Sequence, residues 1–204
     1  MKRIINVAVL VSGGGTNLQA IIDYAADGRL ESGKVVKVIS NKAGVFALER
    51  ATEAEIETAV VENKGVSQSE FESGLIKELE SCGAEVIVLA GFLCILSKDF
   101  TDRYAGRIIN VHPSLIPSFC GEGFYGLKVH EAALARGVKI TGATVHYVNE
   151  IADGGEIIMQ KSVKVKENDT PKSLQKRVME EAEWKILPAS LELLCKKIIK
   201  GEQQ

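Results

Sequence analysis

The sequence predicts an α/β protein: a Rossmann-like, mostly parallel sheet with helices on both faces and an antiparallel C-terminal extension. Up to about residue 112, apolar runs of strand length alternate with segments of helical period, the pattern of a parallel sheet covered by helices. Beyond that point, two stretches of alternating β-branched residues read as antiparallel strands. The length of 204 residues suits one domain with a substantial core, so residues 1–204 are expected to form a single unit.

The expected parallel strands are Ile5 to Val11, Val35 to Ser40, Thr58 to Val61, Val86 to Ala90 and Ile108 to His112. Between the first two, Leu18, Ile21, Ile22 and Ala25 mark one face of a helix that Gly28 closes. A second helix is expected over Val45 to Glu53. A third is expected over Gln68 to Ser81, with Phe71, Leu75, Ile76 and Leu79 as its buried stripe. Ser97 to Arg103 reads as a short turn before the strand that ends in Asn110 and His112. Leu127 to Ala135 is helical by pattern, and Thr141 to Val148 and Glu156 to Val165 are the antiparallel strands. Thr170-Pro171 is a helix start, with Thr as N-cap and Pro in the first turn. The helix is expected to kink at Pro188 and run to Ile199, leaving Lys200 to Gln204 to fray.

With 25 Lys+Arg against 27 Asp+Glu the formal charge is −2, which leaves no nucleic-acid footprint. No apolar run reaches the eighteen or so residues that span a bilayer, and no secretory leader pattern precedes the first strand. The cysteines Cys82, Cys94, Cys120 and Cys195 lack C-x-x-C spacing, as expected of a reduced cytoplasmic protein. None of the three histidines stands at metal-ligand spacing, so no metal is expected.

Candidate chemistry falls in a polar pair at a strand end, joined by a later acid, and in a second segment rich in glycine. Asn110 and His112, at i and i+2 on a strand, point the same way and aim a fixed donor and a titratable donor at one place, while Pro113 ends the strand. Such a pair suits a developing oxyanion, although the same residues also read as an ordinary polar strand end. Asp153, in Asp153-Gly154-Gly155, is placed to orient the imidazole and raise its pKa. His130 and His146 read as structural, one on a helix and one in a strand.

The second segment, Ser12-Gly13-Gly14-Gly15-Thr16-Asn17, follows the first strand and opens the first helix, where free amide groups and the helix dipole attract phosphate. A dinucleotide fingerprint would need Gly or Ala where Leu18 stands and an acid where Ser40-Asn41-Lys42 stand. A Walker loop would need a lysine before Thr16. A monophosphate site and a tight structural turn both remain.

Six passages occur in order: Val11 to Gln19, Ser40-Asn41-Lys42-Ala43, Leu89-Ala90-Gly91-Phe92, Asn110 to Pro117, Gly142 to Val148, and Asp153-Gly154-Gly155. On these the chain resembles the folate-dependent glycinamide ribonucleotide formyltransferases over nearly its whole length. The resemblance implies the formyltransferase fold, with residues 1–111 as the phosphate-binding half and 112–204 as the catalytic and folate-binding half. It implies transfer of a formyl group from 10-formyltetrahydrofolate to the glycine amine of glycinamide ribonucleotide, with no metal. Asn110 would hold the oxyanion, His112 would donate to it and move protons, and Asp153 would keep His112 partly charged.

By the same resemblance Gly15, Thr16, Asn17 and Leu18 would hold the substrate phosphate, and Glu183 would reach its ribose. Gln68, Leu93, Cys94, Ile95, Leu96, Asn149, Glu150, Ile151 and Ala152 would contact the folate. The family often carries an Arg within the stretch Phe92 to Leu96 and another near Gln68, and this chain has neither. The loop Phe119 to Gly126 is longer than usual and reads as either a mobile lid or a surface insertion. The partners implied are small molecules, without nucleic acid or membrane, and a homodimer is left open. Rival readings are a 10-formyltetrahydrofolate hydrolase, expected to carry an N-terminal regulatory domain, and a methionyl-tRNA formyltransferase, expected to carry a C-terminal domain and a basic surface. A third is a non-catalytic phosphate-binding module.

Overall fold

A computed structural model describes residues 3–201; Met1, Lys2 and the end of the tail expected to fray, 202–204, lie outside the described residues. Seven strands form one sheet in the order β3-β2-β1-β4-β5-β6-β7. The parallel strands are β1 (Ile5–Val11), β2 (Gly33–Ser40), β3 (Glu57–Val60), β4 (Val86–Leu89) and β5 (Ile108–His112). Strands β6 (Ile140–Tyr147) and β7 (Ile157–Lys164) add the antiparallel extension. The helices are α1 (Thr16–Ala26), α2 (Phe46–Glu53), α3 (Gln68–Ser81), α4 (Lys98–Arg103), α5 (Leu127–Arg136), α6 (Pro171–Val178) and α7 (Trp184–Lys200).

The central strands are continuous apolar runs because helices cover both of their faces. Val7, Val9 and Val11 of β1 join one core with Leu18 and Ile21 of α1 and Leu187 and Leu191 of α7. The intervening Ala8 and Leu10 join the other with Phe71, Leu75 and Leu79 of α3. The same alternation along β5 puts Ile108 with the α3 cluster and Ile109 and Val111 with the α7 cluster. Asn110 and His112 therefore continue the Ile108 face to the carboxyl end of the strand.

Local signals set the helix ends. Ser67 and Glu70 form a capping box on α3, and Thr170 and Ser173 form one on α6, with Pro171 in the first turn. The stretch expected as a turn at Ser97 to Arg103 is a short helix, because the Ser97 hydroxyl accepts the Phe100 N–H and nucleates it. Pro188, where a kink is expected, lies inside α7, and a π-helical turn at Met179–Glu183 comes before that helix. The widened turn directly precedes α7, whose fifth residue has no N–H to give to the Trp184 carbonyl. It leaves both Ala182 and Glu183 buried.

Lys37 of β2 is a buried cation, with its ammonium 2.6 Å from Glu57, 3.0 Å from Glu78 and 3.0 Å from the Ser81 hydroxyl. Burial pulls its pKa down, but the two carboxylates win and hold it above the ordinary lysine value. Replacing such a pair with an apolar side chain costs little, whereas orphaning the charge costs much. Lys37→Met should therefore keep unfolding stability within about 1 kcal/mol of wild type, while Glu57→Ala with Glu78→Ala should lose about 3 kcal/mol. Urea titrations of the two variants check this, and a large loss in Lys37→Met would mean that the ion pairs themselves hold the β2–β3 edge.

Candidate active site

The sheet order reverses between β1 and β4, and the cleft lies beyond the carboxyl ends of β1, β4 and β5, where an open α/β sheet binds ligands. Its volume is about 900 Å³, and Asn110, His112 and Asp153 all line it. So do Asn17 and Glu183, and the two expected folate segments, Leu93 to Leu96 and Asn149 to Ala152.

Strand β6 completes the polar wall. In the β5–β6 ladder Asn110 faces His146 and His112 faces Thr144, so all four side chains share one face of the sheet. His146 Nδ1 lies 2.7 Å from the Tyr147 carbonyl, which can only accept, so Nδ1 carries the proton. His146 Nε2 stands 3.2 Å from the Asn110 amide nitrogen and, as the acceptor, orients that amide with its second N–H left over. His146 is thus part of the site and not the purely structural residue expected. Its sequence signal was a polar residue on the inner face of an apolar strand, and its meaning depended on the pairing partner.

Asp153 arrives on the loop between β6 and β7. Its backbone is left-handed at φ 55°, and the two glycines after it have no room for a side chain. A Cβ on Gly155 would lie 1.8 Å from the Tyr147 carbonyl oxygen, and one on Gly154 would lie 2.6 Å from the Ile151 side chain. The carboxylate stands 3.3 Å from His112 Nδ1 and 3.5 Å from His146 Nε2, and accepts the Gly121 N–H at 2.9 Å. Burial acts to raise its pKa, but the His146 contact, the Gly121 N–H and the neighbouring His112 prevail and hold it below the ordinary carboxylate value.

His112 is only 4% exposed, and its Nε2 donates to the Phe119 carbonyl at 2.8 Å. Burial outweighs the Asp153 charge and the Phe119 carbonyl, so its pKa lies below the ordinary histidine value. Asp153 pulls the imidazole in the expected upward direction, but in the free protein desolvation is the larger effect. His130 is fully buried on α5, lines the cleft and has no partner on either ring nitrogen; burial, then the charge of His112, brings its pKa down to about 4.

Of the segment from Gly15 to Leu18 only Asn17 lines the cleft; beside it, Gly15 caps α1 in the left-handed conformation, φ 71°, with no side chain on the first-turn amides. A Cβ there would lie 2.7 Å from that of Ala47. Asn17 donates to Glu183 at 2.8 Å, while its own Oδ1 is buried without a partner. Burial pushes the Glu183 carboxyl up to about 7 against the Asn17 hydrogen bond. Leu18 departs from the expected role: its side chain belongs wholly to the core, so only its backbone can face a ligand. The Thr16 hydroxyl points to Met179, at 3.8 Å.

Gln68, expected at the folate, does not line the cleft; its amide is taken up by Glu72 at 2.6 Å and the Ile95 carbonyl at 3.0 Å. Cys94 does line it, with amide donors from Asn41 at 3.1 Å and Asn63 at 3.4 Å on the sulfur, yet burial raises its thiol pKa. The 119–126 loop forms one cleft wall and is tied to the centre through the Phe119 carbonyl and the Gly121 N–H. Among the described residues no group of three or more His, Cys, Asp or Glu side chains is arranged to hold a metal ion.

The profile of the family described as formyl transferase matches residues 5–191. The chain is 44% identical over 192 residues to the trifunctional purine biosynthetic protein adenosine-3 of Gallus gallus, covering 94% of this chain and 18% of that one. It spans less than a fifth of the length of such relatives. It is 41% identical over 189 residues to the phosphoribosylglycinamide formyltransferase of Haemophilus influenzae, covering 92% of this chain and 84% of that one. The crystal structure of glycinamide ribonucleotide transformylase 1 from Symbiobacterium toebii superposes with a TM-score of 0.88 at 37% identity, over 95% of this chain and 88% of that one. Fold, cleft and sequence therefore agree that the chain belongs to the formyl transferase family.

Proposed function

We propose that the protein transfers a formyl group from 10-formyltetrahydrofolate to the glycine amine of glycinamide ribonucleotide in purine synthesis. The observation that carries the reading is the meeting of Asn110, His112, His146 and Asp153 on one wall of a cleft that also takes in Asn17 and Glu183. A hydrolase would not need Asn17 and Glu183 on the cleft wall, and a bare phosphate-binding module would not need Asn110, His112 and Asp153 there. In this reading the phosphate meets the first-turn amides of Gly15 to Leu18, and a ribose hydroxyl donates to Glu183 or to the orphan Asn17 Oδ1. The pterin lies between the Leu93–Leu96 and Asn149–Ala152 segments.

The amine attacks the formyl carbon, and the carbonyl oxygen becomes an oxyanion. Asn110 gives it the N–H that His146 leaves free, and His112 gives it the Nε2 proton now held by the Phe119 carbonyl. A neutral imidazole is a sufficient donor, and negative charge on the adduct raises its proton affinity just as a proton must leave the attacking amine. Collapse of the adduct returns that proton to the folate nitrogen, so no covalent enzyme intermediate is required. Small molecules are the only partners this chemistry needs, in the reducing cytoplasm. A homodimer is compatible with it, since one chain walls the cleft.

Purified protein should form formylated ribonucleotide from 10-formyltetrahydrofolate, and His112→Ala should cut turnover by about 10²–10⁴-fold with ribonucleotide binding retained. Formate release indifferent to the ribonucleotide would favour the hydrolase, and near-normal turnover in the variant would remove His112 from the mechanism.

Asp153 raises the His112 pKa against burial, so Asp153→Asn should move the imidazole titration to still lower pH. An NMR titration of His112 reads the sign directly, and an upward movement would contradict the charge account.

Glu183 binds its proton more tightly folded than unfolded, so its contribution is complete below pH 4.5 and is lost as pH rises toward 7, by about 3 kcal/mol. Glu183→Gln should flatten that part of the stability profile and be the more stable protein above pH 7, while binding ribonucleotide more weakly. Parallel pH-dependent melts with ribonucleotide titration calorimetry decide it; an unchanged profile would show that the carboxyl is not desolvated.

A further inference from the structure

We infer that Glu72 is a positioning residue for the folate wall of the cleft, acting through the backbone of the loop between Gly91 and Ser97 without touching substrate. The inference rests on the reading of that loop as a folate contact. Glu72 lies on α3, is 7% exposed and does not line the cleft. Burying a carboxylate among Phe71, Leu75 and their neighbours is costly unless every lone pair finds a donor. Here all the donors given to it converge from two residues. The Ser97 N–H reaches one oxygen at 2.6 Å, the Ser97 hydroxyl reaches the other at 2.5 Å, and the Gln68 amide adds a third bond at 2.6 Å.

Gln68, one helical turn before Glu72 on the same face, passes the connection on by donating to the Ile95 carbonyl at 3.0 Å. From the opposite side, the Leu93 N–H donates to the Ser12 hydroxyl at 2.9 Å. A segment with no strand or helix partners is thus held at alternate residues 93, 95 and 97. Phe92 and Leu96 face inward as a result, while Leu93 and Ile95 stay 63% and 73% exposed. Two large apolar side chains left at the mouth of a cleft are what a flat aromatic ligand would cover. Ser97 also caps α4, so Glu72 sets both the end of the loop and the start of the next helix.

Steady-state kinetics and tetrahydrofolate calorimetry on wild type, Glu72→Gln, Glu72→Ala and Gln68→Ala test this. In Glu72→Ala the KM for 10-formyltetrahydrofolate should rise by about tenfold or more, with the KM for ribonucleotide unchanged, because misplacing a binding wall penalises the ligand it faces. Glu72→Gln keeps an acceptor for the Ser97 N–H and should recover most of the folate affinity. Gln68→Ala, which removes the tie to Ile95 and one donor to Glu72 but leaves both Ser97 bonds to the carboxylate, should weaken folate alone with little change in melting temperature, so the test survives a poorly folding Glu72→Ala. Unchanged folate KM in folded variants, or equal losses for both substrates, would overturn the assignment while leaving the function intact. Wild-type protein without tetrahydrofolate affinity would overturn both.

Discussion

The site depends above all on the register in which β6 pairs with β5. Because side chains alternate across a strand, a slip of one residue would turn His146 and Thr144 to the opposite face and leave Asn110 without its acceptor. The register is held by burial: Ala143, Val145 and Tyr147 of β6 join the same core as Ile109 and Val111 of β5. Hydrophobic alternation on one face thus fixes polar alignment on the other. The loop to β7 extends the same logic, since Gly155 packs on the Tyr147 carbonyl and returns Asp153 to the two imidazoles.

Within that frame, desolvation competes with charge at each titratable group, and the outcome differs from residue to residue. At Asp153 the donors outnumber what burial takes away, and the carboxylate stays ionised. At His112 a single carboxylate and one carbonyl do not offset burial, and its pKa stays below the ordinary histidine value. Glu183 has Asn17 as its one hydrogen-bond donor among the described residues and a buried carboxyl, so it holds its proton to about pH 7. A cleft whose groups are tuned apart in this way is suited to chemistry in which charge forms and vanishes within one turnover.

The binding walls obey a different economy. The segments at 93–97 and 149–153 have no ladder of their own and are fastened by single side chains: Ser12, Gln68 and Glu72 for the first, and the Asn149 side chain on the Ile151 N–H for the second. Irregular backbone near a cleft is held by such point contacts because regular hydrogen bonding is not available to it. The long 119–126 loop belongs to the same class, secured by His112 and Asp153.

Strand and helix periods, capping residues and the order of elements were legible in the sequence, because they arise from local sterics and from the pattern of apolar burial. Asn110, His112 and Asp153 were legible as well, since polar groups at the ends of apolar runs stand out, and family resemblance gave them roles. Partnership came from the tertiary structure: His146 faces Asn110, Gln68 is tied to Glu72 and the Ile95 carbonyl, the Leu18 side chain lies in the core, and a π-helical turn falls at 179–183. The balance of burial and charge at His112 was likewise beyond sequence. Pairing, burial and dielectric environment are set by residues distant along the chain, and a linear pattern contains no measure of how completely those residues exclude water.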